Sequence, residues 1–402
     1  MFSKVKEAIK KEIKDNPVRL LVIVTILSCF ISYIPFLSDM SVVGRYLDGP
    51  NYIEVAKTFY FKITDNNAAY LPRWYYAVHL VGYPFFIRLF NYIFVPFVGK
   101  LSYLYSMFLT TVVFTCGSVV IFYKLIKEFK LVKNPFFISL VFIFFPPRWV
   151  IYHSVGASEP EFIFWLLMSL YFFKKNKYWL SYLFGVLATI TRIFGVLLCP
   201  IYIIVFVLNE YDKYPFLNHL VGKAKKKADS FKLFWSNLPK TWIVLSLGMP
   251  AVLFLNFYVY KLIFNMFFAY YQWNAGQLGS FPFGALIGFG EYWDPGTAEL
   301  YVIYMAVTIY GLFRLYKYRL IFWFCLIQFL PTILNKQGDF PRFLTAISMF
   351  VFIVAFEEFF DNKYFKWIFP IYIVLTYLYV WSAIPTNIIA PEVWINLIGD
   401  QV

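Results

Sequence analysis

Arg45-Tyr46-Leu47-Asp48-Gly49-Pro50-Asn51-Tyr52-Ile53-Glu54-Val55-Ala56-Lys57 is a polar, turn-forming insert that follows the first long apolar run. Pro50 suits the first position of a helix, with Gly49 as its cap. Tyr52, Val55, Ala56 and Phe59 then recur at helical spacing, which predicts a short amphipathic helix. Asp48 stands at the N-terminal mouth of that helix, where the dipole favours negative charge. A carboxylate in this place can be a base, a metal ligand or a helix cap.

Working outward, the chain is 61% hydrophobic and 14% charged over 402 residues, whereas soluble domains run at about 45–50% apolar and 25% charged. Apolar runs suited to crossing a bilayer fall at 18–37, 101–125, 134–151, 160–173, 178–192, 194–208, 241–262, 298–314, 319–334, 342–358 and 367–385. That makes about eleven spans, several of them short for a bilayer that takes roughly 20 residues to cross. The expectation is an all-α, polytopic membrane protein forming a single integral-membrane domain over 1–402. Val78–Val98 is apolar but broken by Pro84, Arg88, Asn91 and Pro96. It reads as a re-entrant or interfacial helix pair within a first outer loop at 38–100. Met1–Arg19 is basic and precedes an apolar run without a small-residue cleavage site, so an uncleaved first span is expected.

The net charge of +14 does not point to nucleic acid, because the basic residues fall in short clusters between apolar runs. These clusters are Lys124 to Lys133, Lys174 to Lys177, Lys223 to Lys227, Arg314 to Arg319, and Lys363 with Lys366. With Val78–Val98 kept out of the count, all of them fall on the side of the N-terminus, which the positive-inside rule makes cytoplasmic. The segment 209–240 is the longest on that side. Its interleaved Lys, Phe, Leu and Trp residues read as a helix lying on anionic lipid or as a solvated loop. The four cysteines, Cys29, Cys116, Cys199 and Cys325, have no paired spacing and predict neither a disulfide framework nor a metal site.

The opposite side collects polar and ionisable residues that no basic loop explains: Asp48, Glu54, Arg73, His79, Arg148, His153, Glu159, Arg192, Gln272, Asn274, Asp339 and Arg342. Charge at membrane depth is costly and is usually paired or functional. In His153-Ser154-Val155-Gly156-Ala157-Ser158-Glu159-Pro160-Glu161, Ser158 or Glu159 can cap a helix starting at Pro160, or Glu159 can serve as a second carboxylate or a sugar-hydroxyl ligand. Arg192 interrupts an apolar stretch. It either holds a phosphate with its planar guanidinium or snorkels to headgroups. Arg342 has the same two readings, with Asp339 as an internal partner. His79, His153 and His219 lack ligand spacing. No phosphate-binding glycine loop, nucleophile elbow or nucleotide-sugar Rossmann pattern occurs, so a soluble nucleotide sugar is not the expected donor.

Asp48-Gly49-Pro50-Asn51-Tyr52-Ile53-Glu54-Val55-Ala56 resembles the first-loop Trp-Asp-Gly motif of the glycosylphosphatidylinositol mannosyltransferase 2 family and its prokaryotic relatives. Gly82-Tyr83-Pro84-Phe85-Phe86, Ala157-Ser158-Glu159-Pro160 and Ala188-Thr189-Ile190-Thr191-Arg192-Ile193-Phe194-Gly195 are similar to three later motifs of that family, in the same order. Leu47 stands where the family has Trp, and past the first half only Arg342, near a helix start, has a counterpart. The resemblance implies a GT-C-type fold and an inverting glycosyltransferase that draws a sugar, often mannose, from a polyprenyl-phosphate donor outside the cytoplasm. It implies Asp48 as the base, supported by Glu159 and Arg192. Arg45, Tyr52, Glu54, His79, His153 and Arg342 complete the candidate substrate- and donor-binding set, and the chemistry leaves room for a divalent metal. The expected partners are the lipid-linked donor, a glycan, lipid or protein acceptor, and membrane lipid, with no nucleic acid. The expected setting is a prokaryotic plasma membrane, or the endoplasmic reticulum in a eukaryote, with the N-terminus cytoplasmic. The competing reading is a transporter or flippase for lipid-linked or anionic solutes, which would place ionisable groups near the bilayer midplane.

Overall fold

The computed structural model describes residues 7, 11–63, 72–98, 102–211, 232–274, 282–283, 295–336, 339–391 and 393–394. His219, the lysine cluster 223–227 and the body of the 209–240 segment lie outside them.

Among the described residues the chain is all-helical, with no strand. The principal helices are α1 (Pro17–Tyr33), α2 (Gly49–Thr58), α3 (Gly82–Val98), α4 (Ser102–Glu128), α5 (Pro135–Phe144), α6 (Pro147–Tyr152), α7 (Glu159–Lys174) and α8 (Tyr178–Thr191). They continue as α9 (Leu198–Tyr211), α10 (Gly248–Phe264), α11 (Ala269–Asn274), α12 (Pro295–Leu315), α13 (Arg319–Phe329), α14 (Phe340–Ser348) and α15 (Lys363–Thr386). Among the described residues five segments are long and apolar enough to cross a membrane: Pro17–Phe36, Ser102–Glu128, Ile193–Tyr211, Lys240–Phe264 and Lys363–Thr386. This is the architecture of an all-α membrane protein.

Other expected spans are shorter or broken, and prolines account for part of this. The run 134–151 is not one helix. The pair Pro146-Pro147 ends α5 and restarts the chain as α6, since proline removes a helical donor and clashes with the turn before it. The run 342–358 leaves α14 for a π-helical turn over Met349–Val354. Within the stretch Val78–Val98, Gly82–Val98 is one continuous helix, α3, and a short 3-10 helix over Arg73–Val78 comes before it, rather than a pair of α-helices. Phe85, Leu89, Tyr92, Ile93 and Phe97 are exposed along one face of α3, the i, i+4, i+7, i+8 pattern of a helix lying against apolar surroundings.

Helix α2 also departs from expectation. It is enclosed rather than half-solvated, with Asn51 and Glu54 buried beside Ile53, Val55 and Ala56. Arg88 of α3 reaches the carbonyls of Ala56 and Lys57 at 3.4 and 3.3 Å, satisfying the open C-terminal end of α2. Before α2, the chain pairs with residues near the C-terminus. Leu47 N–H donates to Asn387 O at 3.0 Å and Ile389 N–H to Arg45 O at 3.1 Å. These bonds hold Leu47 in the left-handed region, φ 48°, which a side chain rarely adopts. Asp48 leaves that turn.

The core runs through α4, α7 and α8, with α7 packed along α8 and α4 between α3 and α7. Hydroxyls on α4 stitch the 153–160 loop to this core. Thr111 donates to Val155 O at 3.0 Å and Ser118 to Pro160 O at 3.0 Å, while Tyr83 Oη lies 2.6 Å from Thr111 Oγ1. Such bonds suit helices that must hold irregular backbone away from water.

Two glycines permit close approaches. A Cβ on Gly195 would meet the backbone of Ala188 and Thr189, and one on Gly82 would lie 2.6 Å from Thr191 Oγ1. Gly82→Val should therefore push α3 off Thr191 and Arg192. The expected cost is about 1–3 kcal/mol, as for other overpacked sites, read as a lower thermal midpoint; an unchanged midpoint would show that α3 yields freely.

Candidate active site

Five elements that are distant in sequence deliver the charged groups of one site. Asp48 precedes α2, His79 ends the 3-10 helix Arg73–Val78, Glu159 opens α7, Arg192 occupies the break between α8 and α9, and Arg342 lies in the first turn of α14.

Asp48 occupies the N-cap position of α2, but its side chain makes no capping bond. Oδ2 instead accepts from Arg342 Nη2 at 3.2 Å, and Oδ1 lies 3.3 Å from His79 Nε2. Ser158 is likewise at the N-cap of α7 without capping it. Its hydroxyl lies 2.9 Å from Tyr52 Oη and accepts from Arg192 Nη1 at 3.2 Å. Both residues whose local sequence suggests capping are thus turned to long-range partners.

Glu159 links the two arginines. Its Oε1 accepts from Arg342 Nε at 2.6 Å and pairs with Arg192 Nη1 at 2.7 Å. The Glu159 side chain is 4% exposed and those of Arg192 and Arg342 are 18% and 17% exposed. Arg192 is therefore turned inward to a carboxylate and does not snorkel. Asp339, the expected partner of Arg342, instead accepts from Arg148 Nε at 3.1 Å and from Tyr152 Oη at 2.8 Å. Arg148 and Arg342 both lie over the Tyr152 ring, 5.2 and 5.3 Å from its centroid, so this second pair abuts the first.

A cavity of about 280 Å³ opens on these groups, lined by Asp48, Tyr52, Tyr75, His79, Ser158, Arg192, Tyr270, Asn274 and Arg342 among others. Small-ligand sites run from roughly 300 to 1,000 Å³, so the space suits the head of one small molecule. Tyr52 stands edge-on to both His79 and Tyr83, with centroids 5.0 Å apart in each case. Burial, with the charges of Asp48 and Glu159 beside it, raises the Tyr52 phenol and keeps it protonated. Burial alone would raise the Asp48 carboxyl too, but His79 and Arg342 outweigh that effect and hold it well below the usual carboxylate range. The donor set does not suit a divalent cation. Asp48 and Glu159 each carry a guanidinium, and the described residues contain no group of three His, Cys, Asp or Glu placed to ligate one.

Three expected site residues, Arg45, Glu54 and His153, lie elsewhere or act otherwise, and so does Arg73 of the outer polar set. Arg45 donates to Ile389 O at 3.1 Å and clamps the C-terminal segment. Glu54 is buried in α2, faces Lys57 and is raised by that burial. His153 is fully buried with Nε2 3.1 Å from Ser28 Oγ of α1. Arg73 donates to Ile263 O at 3.1 Å. Tyr75, Tyr270 and Phe343 line the cavity without any sequence signal beyond the general excess of aromatics; α11 brings Tyr270 there by docking on the 3-10 helix Arg73–Val78. Compared with known protein families and curated proteins, the chain matches no family model and no curated protein.

Glu159→Gln would leave two enclosed guanidiniums without their shared anion. A loss of about 3 kcal/mol is expected, as when one partner of a buried pair is removed, measured by denaturant or thermal unfolding. For Asp48, whose folded value lies below the unfolded one of about 4, the stabilisation is complete at neutral pH. It is lost as pH falls below about 4 toward the folded value. Asp48→Asn should abolish that part of the acid dependence; an unaltered acid limb would show that Asp48 does not contribute to it.

Proposed function

We propose that the chain is a membrane glycosyltransferase moving a sugar, mannose by resemblance, from a polyprenyl-phosphate donor to an acceptor hydroxyl, with inversion. The observation that carries this reading is the Asp48 carboxylate, freed from helix capping and turned into a polar cavity that it shares with His79 and two arginines. The resemblance of four ordered motifs adds the class of donor. On this reading the bundle is a GT-C-type arrangement of about eleven spans, counting the short apolar helices, with the site on the extracytoplasmic side of a multi-pass protein.

The acceptor hydroxyl gives its proton to Asp48 while its oxygen attacks the anomeric carbon. The bond from that carbon to the phosphate oxygen breaks, and polyprenyl phosphate leaves. Arg192 and Arg342 neutralise the charge that grows on the leaving phosphate. An Asp48 held by Arg342 is a weak base, because general-base catalysis works best with a proton affinity near the operating pH. A donor phosphate competes with the carboxylates for both guanidiniums. Once it takes Arg342, the Asp48 carboxylate recovers basicity at the moment the acceptor needs it.

The transporter reading has less support. The ionisable groups of α7 sit in its first and last turns, Glu159 and Glu161 at one end and Lys174 at the other, and the site cluster shares one end of the bundle.

The test is incubation of the purified chain with labelled polyprenyl-phosphate sugars and candidate acceptors. Asp48→Asn should lower kcat by about 10²- to 10⁴-fold, the range supplied by a positioned base, with the fold intact. Full activity in that variant would remove Asp48 as the base. Arg192→Ala should act mainly through KM for the donor, and unchanged donor kinetics would take phosphate recognition away from it.

A further inference from the structure

The two oxygens of Asp48 have partners of different kinds. Oδ2 is held by Arg342 Nη2 at 3.2 Å, and Oδ1 lies 3.3 Å from His79 Nε2. Arg342 lines the cavity and also bonds Glu159 Oε1. A phosphate entering the cavity offers its planar guanidinium a bidentate anion, so Arg342 is the partner that a ligand can draw away.

His79 is fixed on every side. Its side chain is 2% exposed. The rings of Tyr52 and Tyr75 both meet the imidazole edge-on, with centroids 5.0 and 5.5 Å away. The backbone N–H donates to Tyr76 O at 3.0 Å, and the carbonyl accepts from Tyr60 Oη at 2.6 Å. The Tyr60 ring in turn packs on Tyr260 of α10, with centroids 5.4 Å apart. A neutral imidazole carries its hydrogen on one nitrogen only, and a carboxylate beside Nε2 places it there. Tyr52 and Tyr75 also feel the Asp48 charge, but burial keeps both phenols protonated, so neither takes a proton in place of Asp48.

We infer that His79 is the positioning residue of the base: its Nε2–H keeps Asp48 Oδ1 in place while Arg342 turns to the donor phosphate, and Oδ2 is the atom that takes the acceptor's proton. The acceptor O–H bond breaks toward Oδ2 and the freed oxygen bonds the anomeric carbon. The electron pair of the old bond from that carbon leaves on the phosphate. The role assigned to His79 rests on the transferase reading, whereas its contact with Asp48 does not.

The contact is tested without substrate, by nitrogen NMR of the purified full chain in detergent with isotope-labelled histidine. The chain has three histidines, and the signals of His79 are those missing from His79→Phe. They should show a hydrogen on Nε2 whose resonance moves in Asp48→Asn. A bare Nε2, or a resonance that Asp48→Asn leaves in place, overturns the proposal. The role is tested by transfer from a labelled polyprenyl-phosphate sugar. His79→Phe keeps an aromatic ring against Tyr52 and Tyr75, and should lower kcat about 10- to 100-fold, the scale of a small misplacement of a reacting group, with KM for the donor unchanged. His79→Gln returns an N–H near the place of Nε2 and should recover most of that loss. Equal losses in the two variants, or a loss that falls on KM instead, would show that His79 only fills space and overturn the role. A wild-type chain that transfers no sugar overturns the transferase reading and the role with it. Transfer by the wild type with kcat unchanged in His79→Phe overturns the role alone.

Discussion

The Glu159 carboxylate, closed from water and bonded to Arg192 and Arg342, is the interaction on which the arrangement at this end of the molecule rests. An enclosed guanidinium without an anion is expensive, and two in one place would repel each other. Glu159 removes both problems at once. It can do so because α7 begins at that residue, where the helix dipole favours an acid, and because α4 holds the preceding loop by threonine and serine bonds. Arg192 is delivered by the break between α8 and α9 and Arg342 by the start of α14. The bridge therefore ties the first half of the chain to the second, and Asp48 joins it through the free face of Arg342.

The same electrostatics fit a site that exchanges one anion for another. At rest the arginines hold carboxylates. The proposed donor brings a phosphate that competes for them, and the carboxylate it displaces is the proposed base. Tyr52 supports this exchange from the side: its hydroxyl bonds Ser158 while its ring stands against His79. The second pair, Arg148 with Asp339, lies across Tyr152 from Arg342 and keeps Asp339 out of the exchange.

Much of the bundle is legible in the sequence because helix period and hydropathy are local properties. The runs from 18, 101, 160, 178, 241, 298 and 367 each become helices with ends close to those read from the apolar pattern. The failures have local causes as well. Pro146-Pro147 breaks a run that hydropathy alone joins, and α2 looks amphipathic because Glu54 and Asn51 are polar, although the fold buries them. Of the site, Asp48, His79, Glu159, Arg192 and Arg342 could be picked as costly charges on one side of the membrane. That criterion cannot separate them from Glu54 and His153, which are just as polar and which the same reading of the sequence places with them. It also cannot find Tyr75 or Tyr270, which are two aromatics among many.

By itself the sequence determined an all-helical membrane protein, the clustering of basic residues away from the polar segments, and the short set of ionisable groups in those segments. Each follows from the cost of placing a charge or an open backbone group in hydrocarbon, which any stretch of chain meets independently. Only the tertiary structure decided which of those groups meet. Whether Asp48 caps a helix or faces a cavity depends on Arg342, 294 positions further on, and whether Arg192 reaches water or Glu159 depends on how α7 packs along α8. Pairing energies fall off over a few ångströms, so partner choice is settled by packing rather than by sequence position.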